Sequence, residues 1–456
     1  MLQNPTTLRE HRKKHLLLAL PVMVAQLGQI SVSVADTIMV GRLGATPLAA
    51  VGYSNSMQAV FVLFGIGVSF GLTPLVAAAD GENDQARSWY VLRHGRVVCL
   101  MAGLLLALLG LGLVPFMPYM DQPPSVVALS QPYFLVLAAS WLPLMGFQAY
   151  RQFTEGLSYT RQAMQIAVSG NLLNVALNWV LIYGKFGLPE LGLMGAGYAT
   201  LISRVFMALA MWGYVQFHGR FASYRNAEQH SPITKRGILE ILRIGLPSGV
   251  QYIFEVSAFT ATAVMMGWLG VFTQAAHQIV INVSAITYLM ASGLASATSI
   301  RVGNQLGRRD YTTLRLVGWV GNRIATVFMI FWALIFILFQ DQIPLLYTDD
   351  PNVIPIAASL LVVSAIFQLP DGIQVVSLGA LRGMRDVKLP TYITLMAYWV
   401  LGIPSGYILG FVFDLGPTGV WTGLIVGLSV AAILLAFRFH RLSRRLIQNF
   451  AANESA

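Results

Sequence analysis

Cysteine occurs once in the 456 residues, as Cys99 inside an apolar run. No disulfide framework and no thiolate metal site can be built from it. Charge is almost as scarce: 11% of residues are Asp, Glu, Lys or Arg, against about 25% in soluble domains. The sequence also lacks the GxxxxGK[ST] loop that cradles ATP phosphates, an HExxH pair and any Cys/His metal spacing. ATP-driven chemistry and resident zinc sites are thereby excluded as readings, and no cofactor is expected. His277 reads as a packed histidine rather than a ligand.

Apolar sequence is abundant, at 56% of residues with a mean hydropathy of +0.65. Runs such as "VVCLMAGLLLALLGLGLVPFM" (97–117) recur along the whole length. They are continuous rather than alternating, which excludes a membrane β-barrel. The pattern predicts an all-α membrane protein of twelve spans, each long enough for the ~30 Å hydrocarbon core. The spans fall near 16–40, 51–78, 95–117, 127–152, 163–184, 191–217, 240–268, 275–300, 317–340, 353–381, 390–413 and 418–440. The basic, then hydrophobic N-terminus looks like a signal peptide, but its apolar stretch runs past Pro21 without a small-residue cleavage pattern, so it reads as span 1.

The net charge of +10 suggests nucleic acid until the cations are placed. Of 29 Lys and Arg, 26 fall on one side of the predicted spans, two (Arg42 and Lys185) on the other, and Arg204 lies within span 6. The positive-inside rule then puts both termini in the cytoplasm. The basic balance reports topology, and no nucleic-acid partner is expected.

The two halves repeat. Laying 20–50 over 246–276 at an offset of 226 matches Leu20/Leu246, Pro21/Pro247, Met39/Met265, Gly41/Gly267 and Gly44/Gly270. The same offset matches Gly67/Gly293, Val76/Val302, Asp84/Asp310 and Gly95/Gly321; Gly156/Gly383 follows at 227 and "GLMG" (192–195) over "GPTG" (416–419) at 224. Six spans per copy makes the repeat parallel, about an axis along the membrane normal, as in alternating-access carriers. The expected organisation is an N-terminal lobe (1–217), a cytoplasmic linker (218–239), a C-terminal lobe (240–440) and a cytoplasmic tail (441–456).

Three acids lie deep in spans: Asp36, Glu255 and Asp371. Each costs roughly 3 kcal/mol to insert, and an intramembrane acid is read as functional by default. Their repeat partners are Thr262, Gln29 and Leu144, none acidic, so duplication explains the scaffold and not the carboxylates. Asn171, Asn174 and Asn178 share one face of span 5. Carboxylate with amide oxygens suits a proton or a small hard cation; helix–helix hydrogen bonding is the plainer reading of the asparagines. Arg204 can neutralise at most one of the three acids. Paired membrane aspartates also occur in intramembrane proteases, but "PDG" (370–372) lacks the GxGD pattern of that class, and no water-activating cluster is found.

"VADTIMVGRLG" in span 1, "GLPSGVQYIFEVSAF" in span 7, "SIRVGNQLGRRD" after span 8, "LPDGIQVVSLGALRGMRD" across span 10 and "GPTGVWTGL" before span 12 resemble the multidrug and toxic compound extrusion (MATE) family, NorM branch. The resemblance runs from about residue 15 to 440. It implies antiport: sodium or a proton enters and drives out small amphiphilic, often cationic, compounds bound between the lobes. It further implies a monomer in the bacterial inner membrane, without ATP. By position Asp36, Asn174, Asn178 and Thr200 match the N-lobe cation site, and Glu255 and Asp371 the C-lobe acids, with Gln278 and Phe367 as substrate-cavity residues. Phe367 stands where relatives often carry tyrosine, and phenylalanine offers a cation no oxygen. A lipid-linked or metabolite exporter of the same superfamily is the alternative; it predicts basic cavity walls, for which the spans offer only Arg204.

Overall fold

Lipid supplies no hydrogen-bonding partner to the backbone, so each segment inside the bilayer must bond within itself or close into a barrel. The computed structural model, which describes residues 5–227 and 232–454, takes the helical solution throughout; no strand occurs among the described residues. In the N-terminal half the helices are α1 (Pro5–Gly41), α2 (Ala45–Ser69), α3 (Leu72–Gly81), α4 (Gln85–Leu113), α5 (Pro124–Gly156), α6 (Thr160–Tyr183) and α7 (Leu193–Phe217), followed by the short α8 (Ala222–Ala227). The C-terminal half holds α9 (Lys235–Trp268), α10 (Val271–Gly307), α11 (Tyr311–Leu338), the short α12 (Gln342–Leu345), α13 (Val353–Gly383), a composite span over Lys388–Val412 and α16 (Gly416–Glu454). The composite span joins α14 (Lys388–Leu395) and α15 (Ile403–Tyr407) through two π-helical stretches, Met396–Gly402 and Ile408–Val412.

Among the described residues, eleven helical segments are long and apolar enough to cross a membrane. The predicted twelfth, α9, has 34 residues; Gln251, Glu255 and its threonines dilute its apolar character. Several helices outrun the bilayer. At about 1.5 Å per residue, the 39 residues of α16 rise nearly twice the ~30 Å core. The expected C-terminal tail is thus largely a continuation of α16, and the expected linker is already helical from Lys235; residues 228–231 of that linker and 455–456 of the tail lie outside the described residues. Val327, Phe331, Leu334 and Leu338 stay exposed along one stripe of α11, as lipid-facing side chains do.

The chain divides into two compact units, but not at the linker: one comprises residues 1–23 and 250–456, the other 24–249. Each half therefore lends the start of its first helix to the other unit. In the 24–249 unit a Cβ on Gly67 would fall 2.5 Å from the Gly249 Cα. In the other unit a Cβ on Gly293 would fall 3.0 Å from the Met23 nitrogen. These contacts are repeat equivalents, since 67 and 293, like 23 and 249, differ by 226. Polar contacts fasten both borrowed segments. Arg301 donates to the His11 carbonyl at 2.8 Å, the His15 ring meets the Thr298 hydroxyl at 3.2 Å, and His94 Nε2 accepts from the Thr234 N–H at 2.9 Å.

The repeat also holds in the backbone. Gly44 and Gly270 share φ values of 121° and 118°, Asn83 and Arg309 of 56° and 58°, and Ser158 and Arg385 of 67° and 61°. Asp84 and Asp310 both cap a following helix, accepting from Arg87 N–H at 2.8 Å and Thr313 N–H at 2.9 Å.

In the C-terminal half Gly402, Gly406 and Gly410 face Gly419, Gly423 and Gly427, two small-xxx-small rows that let backbones touch. A Cβ on Gly423 would come within 2.3 Å of the Gly406 Cα, whereas Gly52 has nothing within 4 Å. Gly423→Leu should destabilise the protein by about 1–3 kcal/mol or block its accumulation, and Gly52→Ala should leave it unchanged. Thermal melting of detergent-purified protein checks this; equal melting of the two variants would refute the close packing.

Candidate functional site

In the 24–249 unit, α1, α2, α5, α6 and α7 enclose a cavity of about 330 Å³. Asp36 lies on its wall, brought there by α1, opposite the polar face of α6. The amide of Asn178 donates to Asp36 Oδ1. Asn174, with its nitrogen turned toward the acid, donates to the same oxygen at 3.0 Å. In that orientation its oxygen accepts from the Thr200 N–H on α7 at 3.3 Å. Asn178 is fully buried, and its Oδ1 has no hydrogen-bond partner among the described residues. An unused amide oxygen beside a carboxylate is the donor set a hard cation takes. The four N-lobe residues picked out from sequence thus come together. Asn171 joins them on the cavity wall, with room because Gly28 has no side chain: a Cβ there would lie 2.9 Å from Asn171 Nδ2.

Other polar residues of this cavity escaped the sequence reading. Asn55, Gln58, Tyr133 and Gln148 line it, with Gln58 donating to Asn55 Oδ1 at 2.6 Å. Arg204 lines it too, and meets a hydroxyl rather than a carboxylate, donating to Ser140 Oγ at 2.6 Å. Arg151, counted from sequence among cytoplasmic cations, reaches the cavity and pairs with Glu155 at 2.6 Å. With Glu255 and Asp371, Glu155 is one of three fully buried acids among the described residues, at 3% exposure, and it is neutralised by its neighbour four residues back. The i,i+4 spacing was the available signal.

In the other unit Glu255 sits in a fully partnered network. Its Oε1 accepts from Gln251 at 3.0 Å and from Gln374 at 3.1 Å, and its Oε2 stands 3.5 Å from the Tyr288 hydroxyl. Tyr398 in turn donates to Gln374 Oε1 at 2.8 Å. Asp371 is buried near enough to Glu255 to feel its charge, and its Oδ2 has no partner among the described residues. Arg382, assigned from sequence to the loop after span 10, bonds the Tyr252 hydroxyl and acts electrostatically on Glu255. Arg204 is therefore not the one cation whose charge reaches an intramembrane acid.

Phe367 is placed differently from expectation. It is 3% exposed and packs edge-on against Phe259 and Trp421 within the apolar core of this unit, so its ring faces other rings. Gln278 is exposed on α10. His277 is packed as expected, accepting from Trp421 Nε1 at 3.1 Å.

The repeat relates the two polar sites. Gln29 and Leu144, partners of Glu255 and Asp371, both line the N-terminal cavity. At the offset of 224, Thr200 and Arg204 correspond to Leu424 and Leu428, which are buried in the C-terminal core. Equivalent space is polar and open in one unit and filled by leucine in the other.

A duplicated helical bundle holding Asp36, Glu255 and Asp371 inside its spans without ion-pair partners among the described residues is the build of a membrane transporter. The family model described as MatE matches it twice, over residues 21–180 and 247–408. The chain is 36% identical over 434 residues to a protein named multidrug resistance protein NorM from Photobacterium profundum, covering 94% of this chain and 95% of that one. A NorM of Vibrio cholerae is 35% identical over 434 residues, with the same coverage. Among solved structures, the eukaryotic MATE transporter AtDTX14 superposes with a TM-score of 0.87 at 22% identity, covering 97% and 99% of the two chains. A MOP superfamily transporter from Pyrococcus furiosus gives 0.87 at 24% identity, covering 96% of each. These structures share the fold. The chain belongs to the MatE family; it is a transporter and not an enzyme.

The Glu255 network makes a structural prediction. Tyr398→Phe removes one hydrogen bond and should cost about 1 kcal/mol. Gln374→Leu strips a donor from Glu255 and strands the Tyr398 hydroxyl, so it should cost more. Melting of the purified variants should rank them in that order, and a Gln374→Leu protein as stable as the parent would show that the network is not formed.

Proposed function

We propose that this protein is a multidrug efflux antiporter of the bacterial inner membrane, exchanging small amphiphilic compounds for inward-moving sodium or protons. The observation that carries the reading is Asp36: an ionisable group on the wall of an intramembrane cavity, beside an amide oxygen that no protein donor satisfies among the described residues. The NorM names of its relatives support the substrate class. In this reading Asp36, Asn174, Asn178 and Thr200 hold the coupling cation, Glu255 and Asp371 form a second acidic site, and two lobes alternate access as a monomer without ATP.

A cation shifts a two-state carrier only through different affinities for the two states. A bare carboxylate favours the state that keeps its cavity wet. Once a cation neutralises Asp36, a drier and narrower cavity costs less, leaving less room for substrate. Cation entry and drug release are thereby coupled.

Asp36→Asn preserves shape and hydrogen bonding but cannot titrate. It should reach the membrane at parental levels and lose gradient-driven efflux by at least about tenfold, the scale of a charged hydrogen-bonding group, while Glu255→Gln weakens transport without abolishing it. Dye efflux from proteoliposomes, with sodium and pH gradients imposed separately, measures this; undiminished export by Asp36→Asn would make the acid structural.

The proposed orientation is tested independently. Ser223 and Asp349 are not buried, and lie on α8 and on the loop preceding α13. With both termini cytoplasmic, a cysteine at Asp349 should react in intact cells with a membrane-impermeant thiol reagent, and one at Ser223 only after lysis. The reverse pattern would invert the topology.

A further inference from the structure

The N-terminal cavity carries charge of both signs. Four groups on or beside its wall set the balance: Asp36, Arg151 with its partner Glu155, and Arg204. Arg151 is neutralised by Glu155. None of the ion pairs among the described residues includes Asp36 or Arg204. Asp36 takes its hydrogen bonds from neutral asparagine amides, and Arg204 gives one to a neutral serine. One carboxylate and one guanidinium therefore face the same space without an ion pair between them.

Ser140 fixes how Arg204 is held. The serine is fully buried, its hydroxyl donates to the Leu137 carbonyl at 2.5 Å, and its oxygen accepts from Arg204 Nη1. The remaining guanidinium donors have no protein partner among the described residues and none is sealed off, since Arg204 lines the cavity. A planar fork with free donors in low-dielectric surroundings is a carboxylate receptor. Keeping an unpaired cation inside a span is costly, and nothing in the repeat requires it, because the equivalent position is Leu428.

We propose that Arg204 is an anion-binding subsite of this cavity, so that its preferred substrates are zwitterionic amphiphiles whose amine lies toward Asp36 and whose carboxylate is received by Arg204. A volume of about 330 Å³ is at the small end of the range for drug-sized ligands, ~300–1,000 Å³. The proposal rests on the transport reading above and adds the substrate's second charge. It also sharpens coupling. Neutralising Asp36 leaves the substrate's amine without its counter-charge while Arg204 still holds the carboxylate, so the zwitterion is bound at one end only.

The test uses one fluorophore in two forms: a rhodamine with a free carboxylate and its methyl ester, which keeps the cationic ring system and lacks the anion. Full-length protein in proteoliposomes is assayed for efflux, and detergent-purified protein for equilibrium dye binding by fluorescence polarisation. Arg204→Gln should raise the KM and the Kd of the free acid by about tenfold, the worth of one hydrogen bond between charged groups, while the ester is unchanged. Arg204→Lys should restore most of the discrimination. Ser140→Ala, which frees the guanidinium without removing it, should weaken the acid alone and less severely; it also provides the reading if Arg204→Gln fails to accumulate. Equal losses for acid and ester, or no change in either, would overturn the subsite. If the parent binds both dyes and exports neither, the transport reading fails, and binding alone decides Arg204.

Discussion

A carboxylate surrounded by lipid-facing helices must find its donors inside the protein, and much of this structure is arranged around that requirement. Asp36 is met by two asparagine amides from α6, and Glu255 by two glutamine amides and a tyrosine hydroxyl. Neutral donors hold each acid at contact distance without forming an ion pair, although the Arg382 charge also acts on Glu255. A lysine or arginine in the same place would make a permanent ion pair and leave a passing cation little to gain. Glu155 shows the contrast: paired with Arg151 at 2.6 Å, it is a buried acid already neutralised.

Duplication supplies the frame for both sites. Three pairs of positive-φ residues recur at equivalent positions, as do the aspartate caps and the close approach of each first helix to the other half's second. The exchange of helix starts between units makes each unit depend on both halves of the chain. Within that frame the polar content has diverged. Thr262, the counterpart of Asp36, turns its hydroxyl back to the Ala258 carbonyl and is fully buried. Leu424 and Leu428 fill what Thr200 and Arg204 leave open. One lobe keeps a polar cavity and the other an acid network beside an aromatic core.

Membrane helices, the parallel repeat and the three deep acids were determined by the sequence alone, because each depends on local composition or on comparing one stretch with another. A run of apolar residues must be helical in lipid whatever it packs against, and an acid within it is conspicuous. The Asn171, Asn174 and Asn178 face was legible for the same reason, through helical spacing. What Arg204 and Arg382 do, the pairing of Arg151 with Glu155, the burial of Phe367 among aromatic rings and the division of the chain inside α1 and α9 were decided only by tertiary structure. Long side chains reach several ångströms along or across helices, so a residue's sequence position does not fix where its charge lies. Which helix faces which depends on close packing between segments far apart in the chain, and no local pattern in either segment encodes it.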